Sequence, residues 1–131
     1  MRVIDSSSLV KYFSREEGWR KVREHLLEGI VSIDLVVKEV GNALWKKIIR
    51  GEMTLEIAQE ILSDLAKGTA IKLLDQKEHL AKALEIAVRN KITIYDALSI
   101  ALAKNLNTEL ITSDTRQAKT AKREGVETII V

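Results

Sequence analysis

Short apolar runs alternate along the chain with stretches whose apolar residues return every three or four positions, the pattern of strands exchanging with amphipathic helices. Val3-Ile4 opens as a strand apolar on both faces and stops at Asp5. Ser14-Arg15-Glu16-Glu17 has capping-box spacing, and Trp19, Val22, Leu26 and Leu27 then recur at helical intervals as far as Gly29. Ile30-Val31-Ser32-Ile33 forms the second strand. Asp34 is placed to cap a long helix carrying Val37, Val40, Leu44 and Ile48 on one side and closing near Gly51. Thr54 starts a further helix with Leu55, Ala58, Ile61, Leu62 and Leu65 inward, ending at Gly68.

Ala70 to Leu74 is a third strand, and Leu80, Ala83, Leu84, Ala87 and Val88 mark the helix after it. Thr93 caps an Ala-rich helix that includes Ala97, Leu98, Ala101 and Leu102. Leu110-Ile111-Thr112 is the fourth strand, Asp114 to Glu124 a helix, and Thr128 to Val131 the last strand. Strands this short and apolar are buried on both faces by helices, and parallel neighbours need right-handed crossovers. The expected fold is a three-layer α/β/α sandwich around a central, mainly parallel sheet of about five strands.

With 131 residues, no proline and no repeat or linker, residues 1–131 read as one domain. The absence of cysteine excludes disulfides, zinc–thiolate sites and thiol nucleophiles. Asp5 interrupts any signal-peptide core, and no apolar run approaches the ~20 residues of a membrane span, so a soluble, cytoplasmic protein is expected. A net charge of +2 says little about partners. A balance rich in Lys, Glu, Ile and Leu but poor in Asn and Gln is seen in heat-adapted proteins.

In an open parallel sheet, ligands bind beyond the carboxyl ends of the strands. Asp5 ends strand one and Asp114 follows strand four, while Glu39 and Asp96 lie in the first turns of helices that begin on the same edge. Two carboxylates ~5 Å apart repel by about 3 kcal/mol at an effective dielectric near 20. Four together need a cation, and oxygen-only ligands favour Mg²⁺ or Mn²⁺, ions that can activate water for phosphodiester hydrolysis. Each acid also has an ordinary role open to it. Asp5 can cap a helix, Asp114 with Gln117 resembles a capping box, Asp96 suits a helix dipole, and Glu39 can be a solvated glutamate. There is no Gly-rich phosphate loop, and Ser7 stands where an aspartyl phosphotransferase would place its second acid. Neither His25 nor His79 falls with the acids, and Trp19 and Trp45 read as core or interface residues.

Val3-Ile4-Asp5-Ser6-Ser7 resembles the opening of PIN domains, especially the VapC toxins among them. The segment Val36 to Leu44 around Glu39 resembles the second acidic motif of that family. Thr93-Ile94-Tyr95-Asp96-Ala97-Leu98 and Leu110-Ile111-Thr112-Ser113-Asp114 resemble the third and fourth, and all four stand in family order. The resemblance implies that Asp5, Glu39, Asp96 and Asp114 hold Mg²⁺ or Mn²⁺ and hydrolyse RNA. It implies accompanying hydroxyls at Ser6 and Ser113, a homodimer, and a VapB-like antitoxin that blocks the cleft. Asn42, three residues after Glu39, is placed to orient it or to pack. Lys46 and Arg50 share a helical stripe with Glu39, and with Arg116 they are candidates for RNA phosphates or simply a solvated face. An RNA-processing nuclease outside toxin–antitoxin systems and a non-catalytic RNA-binding domain are the alternatives.

Overall fold

The computed structural model describes residues 1–131. In chain order its elements are β1 (Arg2–Ile4), α1 (Ser6–Phe13), α2 (Trp19–Leu27), β2 (Ile30–Ile33), α3 (Leu35–Ile49), α4 (Leu55–Ala66) and β3 (Lys72–Leu74). A short 3-10 turn at Gln76–His79 then leads into α5 (Leu80–Asn90), α6 (Ile94–Asn105), β4 (Leu110–Thr112), α7 (Thr115–Arg123) and β5 (Thr128–Ile130). The five strands form one sheet in the order β3-β2-β1-β4-β5. All four pairings are parallel.

The period of two along each strand divides the core between the faces of the sheet. Val3, Val31, Ile33 and Leu110 point into a cluster with Ala83, Ile86 and the residues of α6, joined by Ala121 of α7. Ile4, Ile30 and Ile111 point the other way, onto Leu9, Val22, Val40, Leu44, Ala58 and Leu65 of α1 to α4. The three-layer α/β/α sandwich expected from the strand pattern is the observed fold. Helix α6 is buried from Ala97 through Ala103, which explains why it carries alanines and leucines all round instead of one stripe. No helix is long and apolar enough to cross a membrane.

Four local expectations are corrected. Ser14 does not start the second helix but ends α1, its N–H bonded to the Val10 carbonyl. Arg15 then turns left-handed at φ +54°, and α2 begins after Gly18, whose φ of +89° suits only glycine without strain. Asp34 makes no side-chain cap on α3; its Oδ1 accepts from the Gln76 N–H at 3.2 Å and so ties β2 to the segment after β3. The third strand starts at Lys72 instead of Ala70. Leu55, Leu84 and Val88 are exposed, Val88 by 73%, because Ala58 and Leu65 in α4, and Ala83, Ile86 and Ala87 in α5, set the faces that meet the core.

The far end of α7 is held by a polar clasp. Glu124 is buried and accepts from Arg89 at 2.6 and 2.9 Å, Asn90 at 2.7 Å and Lys104 at 3.0 Å. The Arg89 guanidinium, followed by Asn90 and Lys104, holds its carboxyl well below the usual range.

Candidate functional site

Strand β1 lies between β2 and β4. Its crossover to β2 runs through α1 and α2 on one face, while that from β4 to β5 runs through α7 on the other. The crevice between β1 and β4 is therefore the topological switch point, where such sheets bind ligands. Asp5 and Asp114 stand at its two sides.

Asp5 is buried and almost fully engaged. Its Oδ1 accepts from the Ser7 hydroxyl at 2.6 Å and from the Ser8 N–H at 3.3 Å, and its Oδ2 accepts from the Thr112 hydroxyl at 2.5 Å. Both hydroxyls are themselves anchored: Ser7 Oγ accepts across the crevice from the Ser113 N–H at 2.9 Å, and Thr112 Oγ1 accepts locally from the Asp114 N–H at 3.1 Å. Burial pushes the Asp5 carboxyl up; the Ser7 and Thr112 hydroxyls oppose the rise, and the charge of Asp114 adds to it.

Glu39, half-buried on α3, is pushed up to about 7 by burial, then by Asp96 and Asp5, against the opposing Ser6 hydroxyl. Asp96 is exposed in the first turn of α6, where its N–H donates to the capping Thr93 hydroxyl at 3.2 Å. Asp114 caps α7, its Oδ1 accepting from the N–H groups of Arg116 at 2.9 Å and Gln117 at 3.3 Å. The capping and cluster readings of Asp5 and Asp114 thus hold together: one oxygen serves the helix while the group belongs to the acidic crevice.

All four acids are electrostatic neighbours, since Asp114 acts on Asp5, and Asp5 and Asp96 act on Glu39. They do not line one cavity. Asp96 and Asp114 share an open cleft of about 540 Å³ with Lys91, Thr93, Arg116 and Gln117, and Asp5 and Glu39 are not part of its lining. No three acid or histidine side chains are already drawn around one point. Like charges without a counterion have no reason to close up. The donor set itself, carboxylates and hydroxyls with no sulfur or imidazole, suits a hard divalent ion such as Mg²⁺ or Mn²⁺.

The other expected residues divide. Ser6 sits beside Glu39, and Ser113 bonds the Ser8 hydroxyl at 3.0 Å as well as Ser7. Arg116 reaches the cleft. Asn42 is exposed and makes no hydrogen bond to Glu39, because one turn along α3 the helix has rotated it toward solvent. Lys46 and Arg50 are exposed on α3 and do not line the cleft, so the stripe expected to run from Glu39 does not deliver them there. His25 and His79 lie elsewhere, His79 paired with Asn105 at 2.7 Å. Trp45 is 56% exposed on α3 and belongs to no core cluster, whereas Trp19 lies against Tyr12 and under the Arg15 and Arg20 guanidiniums.

Ser7, Thr112, Lys91 and Gln117 join the site without having been expected there. A hydroxyl two residues after Asp5 and another two before Asp114 were the available signal for the first pair. Nothing in the pattern marks Lys91, which enters through a left-handed helix end at φ +56°.

Thr112→Val keeps the shape of the strand while removing the donor to a buried carboxylate. The variant is expected to lose about 2 kcal/mol of unfolding free energy, because the buried Asp5 carboxyl and the Asp114 N–H both lose a hydrogen-bond partner. Urea titrations check this, and a variant as stable as the parent would show that the Thr112 hydroxyl contributes nothing to the fold.

The sheet and its acids define a class, a parallel α/β protein with an oxygen-only acidic site at the switch point. Residues 2–123 match the PIN domain family, and the chain belongs to it. It is similar to "Ribonuclease VapC3" of Pyrobaculum aerophilum, with 29% identity over 120 residues covering 89% of this chain and 92% of that protein. It is also similar to "Exonuclease VapC9" of the same organism, with 31% identity over 130 residues covering 98% and 92%. Among solved structures, PAE2754 from Pyrobaculum aerophilum superposes with a TM-score of 0.72 at 27% identity, covering 97% of this chain and 89% of that one. A toxin–antitoxin complex from Klebsiella pneumoniae shares the fold with a TM-score of 0.61 at 20% identity, covering 90% of each chain.

Proposed function

We propose that this protein is a divalent-metal-dependent ribonuclease acting within RNA chains, the toxin of a VapBC-type pair. The observation that carries this reading is the electrostatic coupling of Asp5, Glu39, Asp96 and Asp114 along the β1–β4 switch point: Asp5 is pushed up by burial and by Asp114, and Glu39 by burial, Asp96 and Asp5. The relatives named "Ribonuclease VapC3" and "Ribonuclease VapC1" support a ribonuclease.

Asp5, Glu39, Asp96 and Asp114 would hold Mg²⁺ or Mn²⁺. The ion, when bound, supplies Lewis-acid polarisation of a phosphodiester and a more acidic water. The chain's own groups do the rest. Ser7 and Thr112 fix the Asp5 oxygens and favour their charged form against the effect of burial, and Ser6 and Ser113 extend that hydroxyl shell. Without an ion Glu39 is pushed up to about 7, so at neutral pH it can release its proton as a divalent ion binds. Arg116 and Lys91 face the same cleft and neither is paired with a carboxylate, which leaves both free for RNA phosphates; Lys46 and Arg50 would serve only a strand that leaves the cleft across α3.

A VapB-like antitoxin is the proposed partner. Trp45, Ile49, Leu55 and Ile57 present apolar surface on α3 and α4, and Leu80, Leu84 and Val88 form a second stripe on α5 suited to a homodimer.

The test is cleavage of RNA with Mg²⁺ or Mn²⁺, with and without EDTA, on a linear and on a circularised substrate. Cleavage of both that stops with EDTA is expected. Cleavage that continues at full rate in EDTA would overturn the metal mechanism. Attack on the linear substrate alone would mean an exonuclease, the activity named for one relative.

A further inference from the structure

Asp96 and Asp114 sit on different helices, and neither carboxylate is fixed by burial. Their separation therefore depends on how the amino ends of α6 and α7 are held. Across those ends runs one side-chain hydrogen bond, from Gln117 Nε2 to the Asp96 carbonyl at 2.8 Å. The same residue's N–H donates to the Asp114 carboxylate at 3.3 Å. The next direct link between the two helices is at their far ends, where Lys104 meets Glu124.

Gln117 is free to do this because a capping box is not formed. In such a box the Gln117 side chain would return to the N–H of Asp114. Here that N–H is taken by the Thr112 hydroxyl, and the amide turns outward to α6 instead. Gln117 is buried, so its amide has few other partners, and a lost bond is not replaced by bulk water.

We propose that Gln117 is a positioning residue that sets the spacing of the Asp96 and Asp114 carboxylates for a divalent ion. This rests on the metal-binding reading of the acids given above. It acts through two contacts at once, the backbone of one acid and the carboxylate of the other. Groups that orient metal ligands in this way typically change affinity ten- to a hundredfold.

The test is Mn²⁺ binding to the RNA-free protein by calorimetry, together with melting in metal-free buffer. Gln117→Met keeps the volume and removes the donor. Gln117→Asn keeps the amide one methylene short of α6. Both are expected to bind Mn²⁺ about tenfold more weakly while melting within a few degrees of the parent; either alone suffices should the other fail to fold. Parent-like Mn²⁺ affinity in a folded variant overturns the proposal by itself. A parent that binds no Mn²⁺ overturns the metal-binding reading of the acids, and this proposal with it.

Discussion

Asp96→Asn is expected to lower RNA cleavage by more than about a hundredfold while the metal-free protein melts at or slightly above the parent temperature. The side chain is exposed and makes no hydrogen bond or ion pair within the protein; the contacts at this position run through its N–H to Thr93 and its carbonyl to Gln117. An amide keeps both and removes one charge from the cluster that raises Glu39. Loss of a metal ligand exceeds the tenfold to hundredfold effect of a supporting group. Added Mg²⁺ should then raise the melting temperature of the parent more than that of the variant, since a ligand of the native state stabilises it. A variant that melts well below the parent without metal would make Asp96 a structural residue. Asp5 is a less clean target, because asparagine there would set an amide N–H against the hydroxyls of Ser7 or Thr112.

Glu39→Gln should remove a pH dependence of stability. The folded-state carboxyl is raised from 4.5 to about 7, so the native protein holds this proton more tightly than the unfolded chain does. The stabilisation is complete below about pH 4.5 and is lost as pH rises through about 7. Above that, the ionised Glu39 costs the metal-free parent about 2 kcal/mol, the full shift being discounted for the partial exposure of the group. Denaturant titrations of both proteins between pH 4 and 8 should therefore show the parent falling relative to the glutamine variant. Curves that stay parallel over that range would mean that Glu39 titrates normally. The same proton must leave when a divalent ion binds, so metal affinity should climb with pH up to about 7 and level off beyond.

What could be read from the residues was governed by how local the cause is. Strands β1, β2 and β4 were legible because apolar residues on both faces admit few other structures, and Thr93 and Asp114 marked helix starts through caps made within three residues. The start of α2 was not, because Ser14-x-x-Glu17 mimics a cap while the actual boundary is set by left-handed turns at Arg15 and Gly18. Leu84 and Val88 match the helical period as well as their buried neighbours do, and only the packing of α5 on α6 decides which face turns in. In the site, order and spacing grouped the four acids as candidates. The bond of Thr112 to Asp5, 107 residues away, became legible only when β1 and β4 stood side by side, and that of Gln117 to Asp96, 21 residues away, only when α6 met α7. Asn42 failed for the opposite reason: proximity in sequence on a helix does not mean a shared direction.

The strand order has a consequence for synthesis. Strand β1 leaves the ribosome first, yet it is central, and its partner β4 follows more than a hundred residues later, with Val3 paired to Leu110 and Ile4 to Ile111. Contacts of such long separation form slowly and only after most of the chain is available. Asp5 must wait for Thr112, and Asp96 for Gln117, so the acidic crevice is complete only when nearly the whole chain has been made. On the proposed reading, in which the activity threatens the cell that makes it, the interval between translation and assembly is time in which a partner made alongside can already be present.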